Sequence, residues 1–327
     1  MTENRDLEFL DRIAPPESYR YGGKASGLVS LISHGFHVPR GFAIACACFQ
    51  ELITLNPRIT KTLKNINAAV DPDPILQGAE EMQEMLQECT LPERLELKTK
   101  KAFTRLHSQS EHNRGYAVRS SANIEDSDTS SFAGQATTTL CVSDLEAVLS
   151  SIKKTWFSLF SLEGLLYLKT KKIPLTDVRM GVVVQEMVDA DVSGVMFTVD
   201  VVESDSDRIL IDSTWGLGEP IVSGRITPDS FVVQKDPLEI LQKRLGSKRL
   251  MAIQTAGSES VGYSLSETPI EKREKLSLSD EQILQISKIG IEVERRLRRP
   301  QDIEWCLEGE NLLLLQARPI TTLDREA

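Results

Sequence analysis

The spacing of apolar positions changes in character partway along the chain. After Gly22-Gly23, the stretch KASGLVSLISH has helical spacing and stops at Gly35, and VPRGFAIAC, punctuated by Pro39 and Gly41, predicts a short apolar strand. Residues 57–113 are polar with apolar residues three to four apart, as in ILQGAEEMQEMLQEC and PERLELKTKKAFTRLH, and predict helices. The VDPDP tract at 70–74 predicts a flexible join. GYAVRSSA reads as a strand entering a Ser-, Asp- and Gly-rich loop at 120–135, and TTTLCV as the strand leaving it. One long amphipathic helix is expected over 143–171. From 178 the pattern is of strands: VRMGVVVQEMV, SGVMFTV, RILIDSTWG and DSFVVQ. A last helix is predicted from Ser279, which with Gln282 has a capping-box spacing, and it must end before Pro300. A hairpin follows, QDIEWCLE against NLLLLQARP, and its four consecutive leucines predict burial. Helices early and strands late imply an α+β or α/β protein with a ligand between lobes.

The bulk numbers narrow this picture. A chain of 327 residues with 40% hydrophobic and 26% charged residues is long enough for one large or two ordinary globular domains. With 48 acids against 38 bases the formal charge is -10, which argues against a general nucleic-acid binder. No apolar run is long enough to span a membrane, and the polar start, MTENRDLEFLDRI, lacks the order of a signal peptide. The five scattered cysteines read as reduced, buried thiols of a cytoplasmic protein.

Several segments carry candidate chemistry. Lys24 follows two glycines at a helix start, where a lysine meets phosphate as a point charge; a surface lysine after a turn is the plainer reading. Arg119 ends an apolar strand and enters a loop of small residues, which suits either anion binding or a solvated acidic loop. Gln185, Glu186, Met187 and Val188 end a buried strand, where backbone groups could read an adenine edge, or the strand simply turns out to solvent. Glu219 offers a carboxylate on a glycine-loosened loop. In the hairpin, Asp302, Glu304 and Cys306 share one face, as do Gln316 and Arg318. A loop of odd length, such as Gly309 to Asn311, would set Glu304 opposite Gln316, giving oxygen ligands of the kind Mg²⁺ accepts. A surface salt bridge on a capping hairpin is the alternative.

Taken in order, YGGKASGLVSLISHGFHVPRGFAI, YAVRSSANIEDSDTSSFAGQATTTL, QEMVDADVSGVMFT, WGLGEPIVSGRITPDSF and PQDIEWCLEGENLLLLQARPIT resemble the nucleotide-binding domain of the phosphoenolpyruvate synthase and pyruvate phosphate dikinase family, which includes rifampin phosphotransferase. The resemblance covers about residues 20–322. It implies a two-lobed ATP-grasp fold, with a polar leader at 1–19, lobes at 20–190 and 191–322, and a tail at 323–327. It also implies that Lys24 and Arg119 are phosphate-binding cations and that Gly134, Gln135, Thr137 and Thr138 belong to the phosphate loop. By the same resemblance Gln185 to Val188 form the adenine hinge, Glu219 a further nucleotide contact, Glu304 and Gln316 the metal ligands, and Arg318 the transfer-stabilising arginine. ATP and Mg²⁺ are the implied cofactors. Within the phosphate loop, Ala136-Thr137 stands where larger polar residues are usual.

Family chemistry cleaves ATP to AMP and phosphate and places the β-phosphoryl group on a histidine of a mobile domain. None of His34, His37, His107 and His112 lies in the family's phosphohistidine context. The expected partner is therefore a separate histidine-carrying phosphocarrier protein or domain, as in phenylphosphate synthase, whose ATP-binding subunit this chain resembles. The final small-molecule acceptor would be a phenol-like compound, pyruvate or an antibiotic. A self-contained small-molecule kinase and a non-catalytic ATP sensor are the alternatives.

Overall fold

The computed structural model describes residues 6–69, 71–110, 114–123, 138–175, 177–254 and 263–320. The class is α+β, and the chain divides into two compact units. Unit 1 comprises Met1–Val29 and Arg40–Met187, and unit 2 comprises Ser30–Pro39 and Val188–Ala327.

Unit 1 is built on a five-stranded antiparallel sheet of β1 (Leu7–Phe9), β2 (Gly41–Ile44), β3 (Tyr116–Ala122), β4 (Thr138–Val142) and β5 (Met180–Glu186), in the order β1-β2-β5-β3-β4. Helix α1 (Gly23–Ser33) begins in this unit. Helices α2 (Cys46–Leu55), α3 (Pro57–Ala68), α4 (Asp73–Glu88), α5 (Glu93–Ser108), α6 (Leu145–Ser158) and α7 (Leu162–Thr170) build its core. That core takes Met180, Val182 and Val184 from β5 and Tyr116, Val118 and Ala122 from β3, the positions of one strand face. The long helix expected over 143–171 is two helices. Ser161 interrupts it, its hydroxyl accepting from Gly164 N at 3.1 Å, and so starts α7 afresh. The VDPDP tract lies within this unit, where Pro72 directly precedes α4.

Unit 2 has a six-stranded antiparallel sheet, ordered β13-β12-β6-β7-β8-β9. Its strands are β6 (Val192–Phe197), β7 (Arg208–Trp215), β8 (Asp229–Gln234), β9 (Glu239–Arg244), β12 (Gln301–Glu308) and β13 (Asn311–Pro319). A separate hairpin pairs β10 (Leu250–Gln254) with β11 (Tyr263–Glu267). Short helices α8 (Glu219–Val222) and α9 (Ile270–Arg273) precede the long α10 (Asp280–Leu297). Helix α10 starts in the capping box that Ser279 and Gln282 predict, a device worth roughly 1 kcal/mol. Its Ile283, Ile286 and Val293 pack with Ile209, Ile211, Phe231, Ile303 and Trp305 into the core.

The last hairpin turns through Gly309-Glu310, two residues, because Glu308 pairs with Asn311; the odd loop expected from the sequence is not there. Glu304 nevertheless faces Gln316. The register shifts once between Glu304 and Trp305, where Leu315 is an extra residue on β13, and this bulge restores the pairing. It also switches the core-facing parity of β13 from Leu312 and Leu314 to Ala317. Of the four leucines only Leu314 is fully buried, since a strand offers its core alternate positions.

Candidate functional site

Strand alternation sends the even positions of β3 and β5 into the unit 1 core and the odd positions to the opposite face. On that opposite face Arg119 pairs laterally with Val183 on β5 and Thr138 on β4. Gln185 lies in the next row, between Gly41 and Ala117. Ser121 pairs with Gly181 one row to the other side. The N-terminus of α1 is fastened to this face. Ala25 N donates to Ser121 Oγ at 3.0 Å, and a Cβ on Gly22 would stand 1.8 Å from Ser121 O. Gly22 has φ +86°, and no side chain fits in that contact. The close approach puts the half-buried Lys24 at the end of the strand that carries Arg119. So Lys24, Arg119, Thr138 and Gln185 are assembled on one side of unit 1. Gly134, Gln135 and Thr137 lie outside the described residues.

The adenine-hinge residues divide. Glu186 N and Met187 N are bonded to Arg40 O (2.9 Å) and Gly115 O (3.0 Å), so those two donors are already used by the main chain. Glu186 pairs with Tyr116, on the core-side parity, and its carboxylate holds Arg40 at 2.9 and 3.2 Å. Its side chain therefore does not join Arg119 and Gln185. Unit 1 ends at Met187, and Val188 begins the second segment of unit 2.

In unit 2 the face opposite α10 carries the polar groups. One lateral row across the sheet reads Gln316, Glu304, Val195, Asp212, Ser230 and Arg244. In the neighbouring row Arg318 pairs with Asp302, its Nε and Nη2 at 2.8 and 2.6 Å from Asp302 Oδ2. Burial raises the Asp302 pKa, against the lowering effect of Arg318, and nearby Glu304 adds to the rise. Burial also raises the Asp212 carboxyl, although Ser230 Oγ donates to it at 2.6 Å. Glu219 is the first residue of α8 rather than a loop residue. Gly218 sets it against this face, where a Cβ on Gly218 would meet Ser193 Cβ at 3.1 Å.

Three acceptors here are buried without a hydrogen-bond partner among the described residues: Gln316 Oε1, Glu219 Oε2 and Thr214 Oγ1. Such orphans are rare because each loses its hydration without replacement. Of these, Gln316 Oε1 lies on the residue directly across the hairpin from Glu304, and the two are hard oxygen donors of the kind Mg²⁺ accepts. Thr214 stands apart from them on β7, three strands from β13. Asp212, Thr214 and Ser230 were not singled out from the sequence. The signal was available in RILIDSTWG, where Ile209 and Ile211 are core and the alternate positions end in Asp212 and Thr214. The four positions expected to share Mg·ATP in this unit, Glu219, Glu304, Gln316 and Arg318, do sit on or beside one sheet face.

The rings of His34 and His107 are held by neighbouring groups. His34 Nδ1 contacts Ser30 O at 2.8 Å, and His107 bonds Tyr116 Oη at 3.0 Å while stacking on Phe103. The exposed His37 accepts a β13 bond, from Leu314 N, at its carbonyl. His112 lies outside the described residues. All five cysteines are buried and outside any disulfide, and no described helix is long and apolar enough to cross a membrane.

Comparison with known proteins shows the family. Residues 19–327 match the family described as pyruvate phosphate dikinase, AMP/ATP-binding domain. A probable phosphoenolpyruvate synthase of Methanocaldococcus jannaschii is 32% identical over 98% of this chain and 27% of its own length. Another, of Methanothermobacter thermautotrophicus, is 35% identical over 97% of this chain and 46% of its own length. A rifampicin phosphotransferase of Bacillus subtilis is 35% identical over 92% of this chain and 34% of its own length. The chain thus spans less than half the length of these relatives. It belongs to the pyruvate phosphate dikinase AMP/ATP-binding domain family.

Proposed function

We propose that this chain is the Mg·ATP-binding catalytic subunit or domain of a dikinase-type phosphotransferase, with an ATP-grasp fold. In this reading a histidine nitrogen on a separate protein or domain attacks the β-phosphorus. The N–P bond forms as the bond to AMP breaks, and water takes the γ-phosphoryl group, so that ATP and water yield phosphohistidine, AMP and phosphate. The phosphohistidine then serves a small acceptor: a phenol-like compound, pyruvate or an antibiotic.

The observation that carries the reading is the buried Gln316 Oε1, without a hydrogen-bond partner among the described residues, directly across the hairpin from Glu304 on unit 2, a pair of oxygens of the kind a hard cation takes. Glu304 and Gln316 would hold Mg²⁺, which when bound neutralises phosphate charge. Lys24 and Arg119 bind and orient the phosphates from unit 1, and Arg318, held in place by Asp302, meets charge that develops on transfer. Gln185 and the strand end that follows it receive the base. The reading of the acceptor rests on His34 and His107, which are committed to Ser30 and Tyr116.

ATP labelled at the β position tests it. The isolated chain is expected to bind Mg·ATP and hydrolyse it slowly at most, and to release AMP once a histidine-bearing partner and acceptor are added. Label retained on His34, His37, His107 or His112 and passed on to an acceptor would overturn the separate-carrier reading. ADP as product would point to a self-contained kinase, and binding without any turnover to a sensor.

A further inference from the structure

Unit 2 contains a recess of about 790 Å³ lined by Arg225, Thr227, Ser247, Arg249 and Arg273, with Ile226 and Leu250 among its apolar lining. It has three guanidinium groups against one carboxylate, Glu267. Arg225 and Arg249 are exposed, and neither side chain makes a hydrogen bond or ion pair among the described residues. Arg273 is anchored by its Nε on Thr268 O at 2.9 Å, and its Nη2 stays 3.8 Å from the exposed Glu267. Like charges gathered at one recess repel, and an anion relieves that repulsion.

The floor beneath these arginines is rigid. Lys248 and Asp229, both fully buried, form an ion pair. Lys248 Nζ also donates to Gly246 O at 3.3 Å and to Arg273 O at 3.5 Å. Asp229 accepts from Gly246 N at 2.8 Å and from Ser277 N and Oγ at 2.7 and 2.8 Å. Lys248 itself has φ +37°, and a Cβ on Gly246 would stand 2.0 Å from Pro228 O. A buried ion pair is a costly way to hold a turn. Here it fixes the 246–249 segment, and with it the positions of Ser247 and Arg249, together with the main chain of Arg273. Ordering these groups in advance lowers the cost of binding.

We propose that this recess is a second ligand site of the chain, one that takes a small organic molecule bearing phosphate groups. Arginine forks match phosphate oxygens in pairs, and the Thr227 and Ser247 hydroxyls add neutral donors. The recess is of small-molecule size, within roughly 300–1,000 Å³, and it exceeds what one inorganic phosphate would fill. Its apolar lining receives the organic part. The site stands close to a nucleotide-site candidate in sequence. Arg225 follows α8, which Glu219 begins, and Arg225 N donates to Pro220 O at 2.9 Å.

Fructose 1,6-bisphosphate and pyrophosphate serve as probes. Trp215 is half-buried and donates its indole N–H to Lys272 O, beside Arg273, whereas Trp156 and Trp305 are fully buried. Its fluorescence is therefore the local reporter, with calorimetry alongside. The full chain should bind fructose 1,6-bisphosphate saturably. Arg225→Ala with Arg249→Ala should weaken binding at least about tenfold, as expected for lost charge-assisted bonds. Lys24→Ala, which disables the proposed ATP site, should leave it unchanged, so the two readings fail separately. Arg225→Lys with Arg249→Lys should restore part of the affinity. Unchanged binding in the double alanine variant, or no saturable binding of either probe by the wild type, would overturn the proposal. Saturation by polyglutamate but by neither probe would overturn it too, by assigning the arginines to an acidic protein segment.

Discussion

The sheets of the two units are both antiparallel, and the faces they turn away from their cores carry opposite chemistry. In unit 1 the face opposite the core is made of Gly41, Ala43, Ala117, Ser121, Gly181 and Val183 around Arg119, with the start of α1 laid over it. In unit 2 the corresponding face carries Asp302, Glu304, Gln316, Asp212 and Thr214. The first supplies close backbone approach and positive charge. The second supplies oxygen acceptors, some of them orphaned. The difference teaches that the antiparallel plan leaves chemistry open, and that the strand positions facing away from each core decide it.

The sharpest way to break this contrast is Glu304→Ala. Turnover should fall by about 10²–10³, the usual loss when one electrostatic stabiliser is removed, and binding of an ATP analogue should weaken less. Wild-type turnover at limiting Mg²⁺ would remove Glu304 from the metal role. Next, Lys248→Met strands Asp229 as a buried charge in unit 2. It should cost roughly 3–5 kcal/mol in urea unfolding followed by fluorescence, and a change below about 1 kcal/mol would show that water reaches the pair.

Two glycines then compare the units directly. Gly22→Ala in unit 1 meets both a positive φ and a carbonyl at 1.8 Å. It should cost about 1–3 kcal/mol and raise the KM for ATP by displacing Lys24. Gly309→Ala, with φ +59° and nothing within 4 Å, should cost about 1 kcal/mol and leave kinetics alone. Equal effects on KM would mean that the close approach at Ser121 does not position Lys24.

The smallest effect is one of pH. The folded-state pKa of Asp212 is raised, chiefly by burial. Its contribution is therefore fully present at pH below the unfolded value and is lost as pH rises through the raised one. Asp212→Asn imitates the protonated form. Its Tm should match or exceed wild type at pH 7, with a flatter profile from pH 4 to 7. A lower Tm at neutral pH together with a steeper profile would reverse the assigned sign.

Much of this was legible along the chain, where the cause is local. The Gly22-Gly23 helix start, the Ser279 capping box and the strand alternation of RILIDSTWG depend on groups a few residues apart. The break at Ser161 was missed because one hydroxyl outcompeted a continuous apolar pattern. Strands β9, β10 and β11 were missed because β9 and much of β11 are exposed and carry little hydrophobic signal.

The sequence by itself determined which residue types were present, their period and their order, and these sufficed for the α+β class and for the resemblance to the family. Only the tertiary structure decided which side each group would face. The bulge at Leu315 is the plainest case. Without that one extra residue Gln316 would take the core-facing parity, and Glu304 would lose the oxygen opposite it. A single-residue slip inverts a strand's faces, and the slip is fixed by partner strands and core packing distant in sequence. The same holds for Glu186, which its parity on β5 places away from Arg119 and beside Arg40. It holds also for Asp212, placed in the row of Glu304 by β6, the one strand that lies between theirs.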